Sequence, residues 1–211
     1  ISEVLRIRNL EDNKGFTLRQ YKPEDLSYLY SICLQTGDAG QDATGLVDER
    51  ILGHFYAAPY VHFEPDLCWI LVREAVPVGY ILGTSDSNAF AEWADTNWWG
   101  PLRQNYPGAG ENDTWTQQMI GLMHQGYQVP QEIEDYSAHL HIDLLPIGQK
   151  RGWGKALIDV FCNRLKEMGI NGVHLDVSRR NLNAIEFYSR VGFKVLESGS
   201  SSIRFARKLS D

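Results

Sequence analysis

Residues 16–21 read as a first strand, with Thr17, Leu18 and Arg19 in apolar–polar alternation. Pro23-Glu24-Asp25 then opens a helix, since proline suits an early helical position and acidic side chains suit the positive end of the helix dipole. Leu26, Leu29, Tyr30 and Cys33 supply its apolar stripe at helical spacing. A Gly/Asp-rich loop over 37–45 precedes a short helix predicted at 46–55. Apolar runs at 67–73 and 78–83 flank Glu74-Ala75-Val76-Pro77 and predict a hairpin. Between about 86 and 135 the pattern changes to a stretch rich in Trp, Asn, Gln and Gly, containing Trp93, Trp98, Trp99 and Trp115. With too few apolar residues for its own core, it reads as a partly helical insertion packed on the main sheet. The last third is the most regular: strand 139–145, helix 152–168, strand 172–177, helix 181–191, and strands 193–196 and 203–208. Strand–helix–strand order with short links implies a right-handed crossover and some parallel pairing within an α/β fold.

Composition narrows the classes. The chain has 211 residues, 43% hydrophobic and 22% charged, enough to bury a core without disulfides or metals. One domain over residues 1–211, carrying the insertion, is the expectation. A net charge of −7 argues against nucleic acid as partner, which requires a basic face, but allows a local basic pocket. Cys33, Cys68 and Cys162 are widely spaced and form no CxxC pair, so they read as buried free thiols of a reducing compartment, with no metal site expected. No apolar run approaches the roughly 18 residues of a membrane span. No membrane partner and a cytoplasmic location are therefore the default, although a first residue of Ile rather than Met lends the missing leader little weight. Monomer and dimer are both open.

The segment Pro146-Ile147-Gly148-Gln149-Lys150-Arg151-Gly152-Trp153-Gly154-Lys155 joins a predicted strand to a predicted helix. Glycines at a helix start let the backbone approach a ligand. The free N–H groups of the first turn and the positive dipole end then make an anion site. Lys150, Arg151 and Lys155 add cationic charge, and a pyrophosphate is the natural occupant. Neither a Walker loop nor a dinucleotide fingerprint is present. Taken alone, the segment also fits a plain strand–helix turn with a solvated basic face.

The segment Gln149-x-x-Gly152-x-Gly154 resembles the Q/R-x-x-G-x-G/A motif of the GNAT N-acetyltransferase superfamily. About thirty residues on, Asn181-x-x-Ala184-x-x-Phe187-Tyr188-x-x-x-Gly192-Phe193 resembles that family's second C-terminal signature. The run from Ser137 to Pro146 and the loop Thr36-Gly37-Asp38-Ala39-Gly40-Gln41-Asp42 look like the acetyltransferase-like domain at the C-terminus of animal O-GlcNAcases and its stand-alone bacterial relatives. The resemblance implies a mixed, mostly antiparallel twisted sheet flanked by helices, with its central parallel strands splayed. It implies acetyl-CoA as cosubstrate. Pantetheine would pair with backbone around Ile142 to Leu144 as an added strand does, and pyrophosphate would rest on the amides of residues 150–155, Trp153 included. Asn181 is the matching position beside the pantetheine arm; a helix N-cap is an equally natural role for it.

By the same resemblance Tyr188 is the general acid for the departing thiolate, with a core aromatic as the plain alternative. An amine acceptor is protonated at neutral pH and must lose a proton before attack. His139, His141 and Asp143 alternate along one strand and share a face by period-2 logic, with Leu140, Ile142 and Leu144 toward the core. The family commonly bulges this strand, which reassigns faces locally. Asp143 and His141 are the first candidates for the base and Asp176 the next, with a supporting buried polar network as the alternative. Ala138 and Leu140 stand where several relatives carry a glutamate, which leaves a water relay open. A backbone N–H near Leu144 is the expected donor to the developing oxyanion. Asp38 and Asp42 are candidates to receive a cationic acceptor, or are ordinary turn residues; Trp98 and Trp99 are either a wall of the acceptor site or packing. The primary expectation is an acetyl-CoA-dependent N-acetyltransferase working by direct transfer to an unidentified amine or peptide. The rival is a noncatalytic acetyl-CoA-binding or protein-interaction module.

Overall fold

The computed structural model describes residues 15–108, 114–131 and 133–209. Strand β1 (Phe16–Gln20) leads into α1 (Leu26–Thr36), then two short helices, α2 (Ile51–Tyr56) and α3 (Ala58–Phe63). The hairpin β2 (Trp69–Arg73) and β3 (Val76–Thr84) follows, then α4 (Ser87–Ala94), a π-turn at Asp95–Trp99, α5 (Gly100–Leu102) and α6 (Trp115–Gln125). The C-terminal part runs β4 (Ala138–Leu144), α7 (Trp153–Glu167), β5 (Gly172–Ser178), α8 (Leu182–Arg190), β6 (Lys194–Ser198) and β7 (Ser202–Lys208). The seven strands form one sheet in the order β1-β2-β3-β4-β5-β7-β6. Every neighbouring pair is antiparallel except β4 and β5, which are parallel.

Three local departures from the sequence pattern have physical causes. The helix expected at 46–55 starts only at Ile51, because Asp48 Oδ1 first accepts the N–H groups of Arg50 and Ile51 at 3.0 Å each. Ala57 then leaves helical geometry at φ −130°, and the Ala58-Pro59 start of α3 reopens it. The hairpin loop is only Glu74 and Ala75, both at positive φ, the geometry that matches strand twist. Pro77 lies inside β3, tolerated where the register with β2 shifts between Leu71 and Val72.

The His-Asp strand does not carry the bulge common in the family it resembles. β4 pairs with β3 without a shift from Thr84↔His139 to Gly79↔Leu144, so period-2 logic holds along its length. Leu140, Ile142 and Leu144 pack in the core beneath α7, with Leu157, Phe161 and Leu165. The opposite sheet face, carrying Tyr80 and Leu82, packs on α1–α6. Phe90, Trp99, Met119 and Met123 of the Trp-rich insertion belong to that same core, so its described residues are continuous with the main sheet. Residues 109–113 and 132 of the insertion lie outside the described residues. No helix among the described residues is long and apolar enough to cross a membrane.

Candidate functional site

The parallel seam between β4 and β5 holds for two residue pairs, Ala138↔Val173 and His139↔His174. Past them each strand keeps its outer neighbour: β4 stays with β3 to Leu144, and β5 stays with β7 to Ser178. The facing edges of residues 140–144 and 175–178 therefore lack a strand partner, and a cavity of about 270 Å³ opens there. Ile142, Asp143, Tyr188 and Asn181 line it, together with Leu52, Tyr56, Trp115 and Met119.

Asp143 accepts a hydrogen bond of 2.6 Å at Oδ2 from the Tyr80 phenol on the adjacent strand. Burial pushes its carboxyl up to about 6, against the downward pull of the Tyr80 bond. Such a group is ionised at neutral pH yet basic enough to take a proton. Two residues back, His141 Nε2 lies 3.0 Å from Tyr60 Oη, and burial with the nearby His174 pushes the imidazole down to about 4. Asp176 also lines the cavity, but Arg204 Nε pairs with its carboxylate at 3.1 Å. Tyr188 packs against Phe193 and Phe205 and lines the cavity. Burial raises its pKa well above that of a free phenol, so it stays a donor at any working pH.

The Gly-containing loop turns through two left-handed residues, Lys150 (φ 56°) and Gly152 (φ 86°). A Cβ on Gly152 would meet nothing within 4 Å, so backbone conformation alone calls for glycine there. Gly154 differs: its Cβ would stand 3.1 Å from the Phe187 ring. No side chain caps the fifteen-residue α7, which leaves its first-turn N–H groups facing outward. Gln149 ties the loop to β4 through Nε2 and the Leu144 carbonyl at 2.7 Å. Arg151 bonds the Ile147 carbonyl at 3.1 Å, and Lys155 pairs with Asp159 at 2.5 Å. Trp153 is buried and stacked on Phe16 with ring centroids 5.7 Å apart, so it offers a ligand only its backbone N–H.

Asn181 caps α8, accepting the Ala184 N–H at 3.1 Å, and lines the cavity as well. Asp38 is paired with Arg180 at 2.8 Å, and Asp42 accepts the Thr44 N–H and hydroxyl at 2.9 and 2.6 Å. Both carboxylates are thus engaged; from this loop it is Gly37, Ala39 and Gly40 that reach the cavity wall. Trp98 and Trp99 both donate their indole N–H to the His54 carbonyl, at 2.8 and 3.2 Å, and act in packing. The insertion reaches the cavity instead through Trp115 and Met119.

Tyr80, Tyr60 and Cys33 also belong to the site and carry no local sequence signal. Tyr80 stands opposite Asp143 only once β3 and β4 are in register. Cys33 lines the cavity, yet burial raises its thiol well above the usual range, so it is not a thiolate nucleophile. Among the described residues no cluster of His, Cys, Asp or Glu is placed to hold a metal ion.

Comparison with known proteins gives a consistent result. A model described as the acetyltransferase (GNAT) family matches residues 43–193. The rat (Rattus norvegicus) and mouse (Mus musculus) proteins named protein O-GlcNAcase are each 23% identical to the chain over 189 residues, covering 85% of it. The chain spans 20% of the length of these curated relatives. The crystal structure of SsHAT is 33% identical with a TM-score of 0.89, covering 93% of this chain and 100% of that one. A putative acetyltransferase from Salmonella typhimurium, solved with its cofactor acetyl-CoA, shares the fold at a TM-score of 0.55 and 11% identity, over 93% of this chain and 95% of its own. PaiA N-acetyltransferase from Thermoplasma acidophilum, in complex with coenzyme A, does so at 0.53 and 15%, over 92% and 99%. With the splayed strands, the match across residues 43–193 and the end-to-end likeness to SsHAT, the chain belongs to the GNAT acetyltransferase family.

Proposed function

We propose that the chain binds acetyl-CoA in the cleft between β4 and β5 and transfers the acetyl group directly to an amine. The observation that carries this reading is one cavity at the splay lined by Tyr188, Asp143 and Asn181 together with the apolar Trp115 and Met119. The uncapped start of α7, turned outward through Gly152 and edged by Lys150, Arg151 and Lys155, fits a pyrophosphate. The unpaired edge at Ile142 to Leu144 fits an extended amide-bearing arm such as pantetheine. The two relatives of this fold solved with acetyl-CoA or coenzyme A support the same ligand. When bound, acetyl-CoA supplies an activated acyl group; the chain supplies orientation and proton handling.

Asp143, an ionised carboxylate near neutral pH, takes a proton from the acceptor nitrogen. Tyr188, on the cavity wall, directs its O–H to the leaving sulfur. Asp176, tied to Arg204, holds the far strand rather than a proton. The buried, protonated Cys33 favours direct transfer over an acyl-cysteine route. The buried Ala138 and Leu140, where a glutamate would be the base in several relatives, favour the rival reading of an acetyl-CoA-binding module without catalysis. Titration calorimetry with acetyl-CoA tests binding, and no heat at millimolar ligand would sink both readings. Coenzyme A release across a panel of amines and peptides separates enzyme from binder. Wild-type turnover by Tyr188→Phe on any acceptor found there would remove the acid assignment.

A further inference from the structure

Behind the cavity, the face of β4 that carries Asp143 also carries two histidines joined through hydroxyl groups from distant parts of the chain. The Ser87 hydroxyl, at the start of α4, lies 2.6 Å from the Ser137 carbonyl and 2.7 Å from His139 Nδ1. A carbonyl can only accept, so the Ser87 proton is committed to Ser137 and its oxygen must accept from His139. His139 Nδ1 therefore carries a hydrogen. His139 is 2% exposed, surrounded by the rings of Tyr60, Phe90 and Tyr127, and bonded to no carboxylate. Such surroundings keep it neutral, and its pKa is pushed well below that of a free imidazole. Its Nε2 is then bare and accepts from Tyr60 Oη at 2.8 Å.

The Tyr60 hydrogen is now spent, and its oxygen can only accept. It stands 3.0 Å from His141 Nε2, which must therefore carry a hydrogen. Neutral His141 is left with a bare Nδ1 on a ring that lines the cavity. Each link fixes the next, and the first is anchored on backbone. With both rings neutral, the network assigns both tautomers.

We propose that Ser87, His139 and Tyr60 form a one-way hydrogen-bond chain that locks His141 in the Nε2–H tautomer, so that its bare Nδ1 and the Asp143 carboxylate together make a two-point receptor for a primary amine. The receptor role rests on the acetyl-transfer reading; the tautomer assignment does not. His141 and Asp143, two apart on an unshifted strand, project from the same face and both line the cavity, so one nitrogen lying between them meets both side chains. Of the three hydrogens on an entering ammonium, one leaves to water and frees the lone pair. A second passes to Asp143 as the N–C bond forms. The third, held by His141 Nδ1, remains in the amide product. Tyr188 gives its proton to the departing sulfur, and exchange with water resets Tyr188 and Asp143. A secondary amine or an alcohol lacks the third hydrogen and leaves Nδ1 desolvated and unpaired. His141 is the substrate-touching residue, while Tyr60, His139 and Ser87 are positioning residues.

The direct test is nitrogen-15 NMR of the whole chain with labelled histidine. His141 is expected to show a pyridine-type Nδ1 and a pyrrole-type Nε2, and His139 the reverse. A protonated Nδ1 on His141 overturns the wiring, whatever the activity. With any amine found to be acetylated, kcat/KM is then compared with that of its N-methyl derivative. The primary amine should lead by about tenfold or more, as for a site with a polar group left unpaired. Tyr60→Phe should lose most of that preference while acetyl-CoA affinity holds; an undiminished preference overturns the receptor. Should Tyr60→Phe not fold, Ser87→Ala cuts the chain at its anchor and carries the same expectation. Correct tautomers with no amine acetylated defeat the acetyl-transfer reading and the receptor with it. Turnover with wrong tautomers defeats the wiring alone.

Discussion

Replacing Asp143 by Asn should disable the protein and stabilise it at the same time. Its carboxyl titrates at about 6 in the folded chain against an unfolded value of 3.8, with burial as the main cause. Between these values the folded chain retains a proton that the unfolded chain has lost, so stability falls as pH rises through that window and then levels off. The shift corresponds to about 3 kcal/mol at neutral pH, and water reaching the cavity lowers this to about 2. An amide oxygen still accepts from Tyr80, so Asp143→Asn removes the ionisation cost without leaving that hydroxyl unpaired. Urea unfolding of both chains at pH 4 and at pH 8 should show near-equal stability at pH 4. At pH 8 the variant should lead by about 2 kcal/mol, roughly 4–8 °C in Tm for a chain of this size. Coenzyme A release should meanwhile collapse. A stability difference that does not change from pH 4 to pH 8, or a variant weaker at pH 8, refutes the buried-carboxylate argument.

In the wild type, kcat/KM for an acetylated amine should fall as pH drops through about 6, because Asp143 must be ionised to take a proton, and Asp143→Asn should lose that limb. Gly154→Val forces a side chain onto Phe187, 3.1 Å from the Cβ position, at a cost of about 1–3 kcal/mol in melting experiments, and should weaken acetyl-CoA binding in calorimetry. Trp153→Ala empties the pocket against Phe16 and should cost about 3–5 kcal/mol by urea unfolding, while the folded fraction keeps its acetyl-CoA affinity. All three cysteines are buried with raised thiol pKa values, so iodoacetamide at pH 8 should label the chain only after denaturation, as read by intact mass.

What the sequence made legible depended on range. The alternation of His139, His141 and Asp143 is a backbone property, and it held along all of β4. The loop before α7 was readable because glycine, cationic residues and a helix start are contiguous. Trp153, in the middle of that loop, was not: nothing local says that its ring turns inward to Phe16. The insertion showed four tryptophans, and only packing decides that Trp115 meets the cavity while Trp98 and Trp99 bond His54. Asp38 and Asp42 illustrate the same gap, since Arg180 lies on a different element and the Thr44 turn is local. The partners that orient His139 and His141 lie 52 to 81 residues away and enter only through folding.

The two-pair seam between β4 and β5 has a consequence for mechanics as well as for binding. Four strands lie on one side of it and three on the other, so the sheet behaves as two plates joined by a short weld next to His139 and His174. Backbone amides that point into the open stretch have no bond across it to break before they exchange with solvent, unlike those turned to β3 or β7. A molecule lying in that gap stands in for the missing length of strand and ties one plate to the other. At a hundredfold excess over its Kd, that tie adds about 2.7 kcal/mol to the folded state. The ligand is then a temporary structural member of the sheet, and release of product returns the molecule to its looser form.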